Sequence, residues 1–178
     1  NVVKIVRSMV DSGDAIALCG NHEHNAICFN TKIEGGYLRD HSIKNFKQHA
    51  ETLLQYLGRQ SDYDDTIEWF KSLPLYYETP AFRVVHATWD DNAIEDLRSY
   101  TIDGVLSDEQ YHQLTDDTTP LYNGVEVTFK GKETLLPDGI SFFDKDGTER
   151  FEIRTGGQTQ PITLDNRHQN SEKKVDVD

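Results

Sequence analysis

The chain has 178 residues, the length of one domain or of one domain with a tail. Its 8 Phe, 8 Tyr and 2 Trp supply the bulk of a core, which excludes a wholly disordered chain. No apolar run approaches the roughly 20 residues of a membrane-spanning helix, and a net charge of −13 without a basic patch argues against long nucleic acid as a partner.

Val3, Val6, Met9 and Val10 recur at helical spacing, and Ser12-Gly13 supplies a stop. The chain opens on Asn1 inside this helix, which suggests a fragment. Ala15 to Cys19 is a short apolar run closed by Gly20 and predicts a buried strand. The polar cluster Asn21-His22-Glu23-His24-Asn25 then leads into the apolar Ala26 to Phe29, so helix, strand, loop and helix follow one another as in an α/β protein.

Residues 31–42 predict a surface loop. Phe46, Ala50, Leu53 and Leu57 line one face of a helix ended by Gly58, and a further helix from about Ser61 turns Tyr63, Ile67 and Phe70 inward, with Pro74 beyond it. Leu75 to Tyr77 and Phe82 to Val85 predict a hairpin around Thr79-Pro80-Ala81. Ser107 and Gln110 have the spacing of a capping box. Gly139 to Arg154 predicts a second hairpin that turns at Asp146-Gly147. From Thr155 to Asp178 no aromatic occurs, and this tail is expected to be disordered, leaving residues 1–154 as the domain.

Two clusters could carry chemistry. In Cys19-Gly20-Asn21-His22-Glu23-His24, polar side chains stand where a strand gives way to a helix, the crevice in which open α/β sheets gather their sites. The Asn21 carbonyl is a hard neutral ligand, and His22 can carry a proton at neutral pH. In Arg83-Val84-Val85-His86-Ala87, an imidazole ends a β-branched run beside a small residue, as suits a metal ligand. A competing arrangement uses Cys19, His22, His24 and Cys28 as a structural zinc site. Against it, both thiols lie in apolar runs, where free Cys behaves as a small hydrophobe. Two cysteines make no disulfide framework, and without a leader they point to the reducing cytoplasm. His24, His41, His49 and His112 have polar neighbours and are expected to face solvent.

Gly20-Asn21-His22-Glu23 and Val85-His86-Ala87 resemble, in order and setting, two motifs of the calcineurin-like metallophosphoesterases. Asp11 to Phe29 looks particularly like the bacterial branch with diadenosine tetraphosphatases and the phosphatase domain of polynucleotide kinase-phosphatase. The resemblance covers about residues 1–154 and implies a four-layer α/β/β/α sandwich, a mixed β-sheet core flanked by helices and incomplete at both ends. It further implies hydrolysis of phosphoric esters or anhydrides by a water activated between two divalent ions, Mn, Fe, Zn or Ni. Asn21 and His86 resemble ligands of the second ion, and His22 resembles the histidine that protonates the leaving group; the role of Glu23 stays open. The expected substrate is a phosphorylated small molecule, a nucleotide or a phosphoprotein. The family's Asp-x-His and Gly-Asp-x-x-Asp-Arg-Gly motifs have no counterpart in the 20 residues before Asn21. Its final Gly-His-x-His motif is missing too, and Asn166-Arg167-His168-Gln169 does not match it. The chain thus resembles the middle of such an enzyme and is expected to be inactive alone. The alternative is a binding module that kept the fold fragment without the chemistry.

Overall fold

Helix α1 (Val2–Asp11) stands where the apolar spacing predicts it, and Gly13, at φ 79°, turns the chain away. The computed structural model describes residues 2–143, 147 and 149–155. The run Ala15 to Cys19 is not a strand. Its amides are spent elsewhere: Ala15 donates back to the Met9 carbonyl, and only Cys19 reaches across, to the Pro74 carbonyl at 2.9 Å. A strand exists through a ladder with a neighbour, and none lies alongside this run among the described residues.

Helix α2 (Asn21–Asn30) follows at once and buries Ala26, Ile27, Cys28 and Phe29. The expected loop of residues 31–42 contains a small hairpin, β1 (Lys32–Ile33) with β2 (Gly36–Tyr37), turned at Gly35 with φ 83°. Helix α3 (Ile43–Gln55) starts on a Ser42 cap, and of its expected face Ala50 and Leu53 are half-buried, Leu53 against the core. Phe46 and Leu57 stay exposed, and the buried side chain is His49. Helix α4 (Gln60–Lys71) buries Tyr63, Ile67 and Phe70 as their spacing predicts.

Strands β3 (Tyr76–Glu78) and β4 (Arg83–Val85) pair antiparallel with Tyr76 opposite Val85. Helix α5 (Asp91–Tyr100) is capped by Asp90, and α6 (Asp108–Gln113) by the Ser107–Gln110 box. Helix α7 (Pro120–Lys130) begins on a Thr119 cap with Pro120 in its first turn. Gly124 lets α7 approach α5: a Cβ there would sit 2.9 Å from Leu97 Cγ and 3.1 Å from the Ala93 carbonyl.

Beyond α7, β5 (Lys132–Leu135) pairs with β8 (Glu152–Thr155) around an inner pair, β6 (Phe142–Phe143) with β7 (Glu149–Arg150). This is the second predicted hairpin. Gly147 carries φ 76°, while Asp146 lies outside the described residues. So does the tail expected from Thr155 onward, except Thr155 itself, which closes β8.

The chain is therefore mixed α/β, with seven helices and four two-stranded antiparallel ladders among the described residues. Its core runs from Cys19 on through α2, α4, α5 and α6 to Phe129 of α7. Among the described residues no helix is long and apolar enough to cross a membrane.

Candidate functional site

The site grows from the start of α2. Gly20 is extended (φ −104°, ψ 177°), and its N–H donates to Glu23 Oε2 at 3.1 Å while its carbonyl accepts from the His24 amide. Glu23 thereby supplies one half of a capping box, since Gly20 has no side chain to return the bond. With the turn fixed in this way, Asn21 and His22 leave the first turn of α2, half-buried and exposed respectively. Both face a polar cleft of about 370 Å³ against α3, where Asn25, Arg39 and Gln48 also stand. His22 also borders a cleft of about 530 Å³ towards α1, with Lys4, Glu23 and Arg59.

His86 directly follows β4 and is exposed. The next residue pins it: the Ala87 amide donates to the Thr128 carbonyl of α7 at 3.0 Å, and the imidazole stands edge-on to Phe129, 6.4 Å between centroids. Its ring lies against Gly20. A Cβ on Gly20 would fall 2.9 Å from His86 Nδ1 and 2.8 Å from Glu23 Oε2. A side chain at position 20 would therefore displace both of these side-chain ends. The two sequence clusters, far apart along the chain, meet at this residue. No hydrogen bond joins His86 to the side chains of Asn21 or His22 among the described residues, and His86 borders neither cleft.

The histidines next to the site do not all behave as their neighbours suggest. His24 is buried, correcting its expected exposure. It stacks on Phe129 at 4.7 Å and on Tyr111 at 6.0 Å, with Cys28 Sγ 3.4 Å from Nε2. Burial, reinforced by Lys130 and Arg39, pushes its pKa down to about 3, so it is neutral. His49 is buried as well, 2.7 Å from the Tyr63 hydroxyl, with its pKa lowered by burial. His41 and His112 are exposed as expected.

Burial likewise raises the pKa of both thiols, Cys19 and Cys28, which are free and protonated. His22 points to solvent while the other three members of the zinc arrangement point inward. Among the described residues no three His, Cys, Asp or Glu side chains converge as a metal-binding group. Asn21 and His86 are not brought together on one cleft among the described residues. The described residues do not make up a two-ion centre, which calls for bridging carboxylates.

Compared with known proteins, the chain matches no family model, no curated protein and no solved structure.

Proposed function

We propose that this chain supplies part of the site of a metal-dependent hydrolase of phosphoric esters or anhydrides. One observation supports it: the imidazole of His86 rests on Gly20, the residue that launches Asn21 and His22 into a polar cleft. In this reading Asn21 and His86 are neutral donors to a divalent ion (Mn, Fe, Zn or Ni). His22, exposed and without a hydrogen-bond partner among the described residues, gives its proton to the leaving-group oxygen. Glu23 holds the turn. The four-layer α/β/β/α sandwich, a phosphorylated small molecule, nucleotide or phosphoprotein as substrate, and the cytoplasm as location belong to the same reading. The buried, free thiols are compatible with that compartment.

Manganese titration followed by electron paramagnetic resonance tests it. The chain should take up Mn²⁺ weakly, lose that uptake in His86→Ala and Asn21→Ala, and hydrolyse p-nitrophenyl phosphate no faster than background. Uptake indifferent to both substitutions would overturn the assignment and leave a binding module as the better description.

A further inference from the structure

The cleft that receives Asn21 and His22 differs in charge from the rest of the chain. The protein has 31 acidic side chains against 18 basic ones, yet none of the residues around this cleft is acidic. Its fixed cation is Arg39. One terminal nitrogen of the guanidinium donates to Asn25 Oδ1 at 2.6 Å and the other to Gln48 Oε1 at 2.5 Å. Two neutral amides, one from α2 and one from α3, thus hold the plane of the fork. A guanidinium has five N–H donors, so this grip orients the group without using it up.

Among the described residues no carboxylate forms an ion pair with it, whereas Arg7, Arg59, Arg83 and Arg98 each meet an Asp or Glu. Asp40, its neighbour in sequence, is turned to the Asn45 amide at 2.5 Å. His49, on the same wall, has its pKa lowered by burial and then by Arg39. An oriented, half-buried guanidinium outside any ion pair is what recognises a phosphate in a planar, two-point fashion. The surrounding Asn45, Gln48 and Thr52 offer amide and hydroxyl groups that suit a sugar or a base rather than an apolar carrier.

We propose that this cleft binds a phosphate group carried on a polar, nucleotide-like ligand, with Arg39 as the residue that selects it. His22 shares the cleft. If the phosphoesterase reading holds, the substrate is therefore one whose leaving group bears a phosphate of its own. That last step rests on the proposed function, whereas the binding does not.

The binding is tested on the full chain without metal, in EDTA, by following amide and Arg side-chain NMR signals. AMP is the probe and adenosine its uncharged counterpart. AMP should saturate shifts at Arg39 and along the facing turns of α2 and α3, and adenosine should bind at least tenfold more weakly. Arg39→Gln should weaken AMP at least tenfold. Because Arg39 also ties Asn25 to Gln48, Gln48→Glu serves as the second variant: it keeps the tie but neutralises the cation, and should weaken AMP to a similar degree. His112→Ala, at an exposed position of α6 outside the cleft, should leave AMP binding unchanged. Equal binding of adenosine and AMP, or AMP binding indifferent to both Arg39→Gln and Gln48→Glu, would overturn the proposal and leave the metal assignment untouched.

Discussion

The first and second turns of α2 use similar residues to opposite ends. His22 and His24 are two positions apart, about 200° around a helix, so they leave on nearly opposite faces. His22 looks onto two clefts, and its neighbours Asn21 and Glu23 are half-buried at the rim. His24 is wedged between Phe129 and Tyr111 against Cys28, and there it has lost its basicity. The same side chain is a candidate proton donor on one face and a neutral packing element on the other. What separates them is the surrounding protein: α6 and α7 close over one face and leave the other to water.

The largest test of that contrast removes the buried histidine. His24→Ala should lower stability by about 2 to 4 kcal/mol, the range for emptying a core position of this size. It should also change the pH dependence. An imidazole whose pKa is about 3 in the folded chain and about 6.5 unfolded stabilises fully above pH 6.5. That contribution is lost as pH falls towards 3, at about 1.4 kcal/mol per pH unit. His49 adds a share of the same sign. Denaturant melts between pH 7 and 4 should therefore show a shallower slope in His24→Leu than in the unaltered chain. Parallel slopes would mean that His24 is not held neutral.

The sequence reveals elements whose signals are local. The spacing of Tyr63, Ile67 and Phe70 with Pro74 beyond marks α4, and the Ser107–Gln110 box marks α6. The β3–β4 hairpin follows from its β-rich runs around Thr79-Pro80. Helices α5 and α7 are harder to see, although Asp90 and Thr119-Pro120 are proper starts. In α7 the run Val125 to Phe129 is rich in β-branched residues, and its helical state depends on packing against α5 through Gly124. Burial of His24 and His49 is legible only once Phe129, Tyr111 and Tyr63 arrive from distant segments. At the site, the residue types of Asn21, His22 and His86 and their order are visible in the sequence. That His86 reaches Gly20 is set by α7, which anchors Ala87. Arg39 carries no local signal, because its partners come from two helices.

A smaller effect is expected where the two clusters touch. In Gly20→Ala the new methyl would meet Glu23 Oε2 at 2.8 Å and His86 Nδ1 at 2.9 Å. Both are ends of side chains that can swing, so the fold should survive with a loss of about 1 kcal/mol, typical of a point change. The imidazole of His86 must move, and its ring proton signals should shift while those of His24 stay in place. An unmoved His86 signal would show that the contact with Gly20 is absent in solution.

The smallest effect on stability belongs to His22, and its smallness is the point. Exposed side chains without a cap or an ion pair change stability by no more than about 0.5 kcal/mol when replaced. His22 has no hydrogen-bond partner among the described residues, and the α2 turn is held by Gly20 and Glu23. His22→Asn should therefore melt with the unaltered chain. Accessibility separates the two histidines more directly. Diethyl pyrocarbonate acylates exposed imidazole, so peptide mapping should find His22 modified early. His24, neutral but enclosed by Phe129 and Tyr111, should be modified only as fast as the chain opens. Since opening scales with stability, adding a mild denaturant should accelerate His24 and leave His22 unchanged. Equal rates at the two positions in native buffer would mean that the second turn of α2 is not sealed, and the division of labour along this helix would fail.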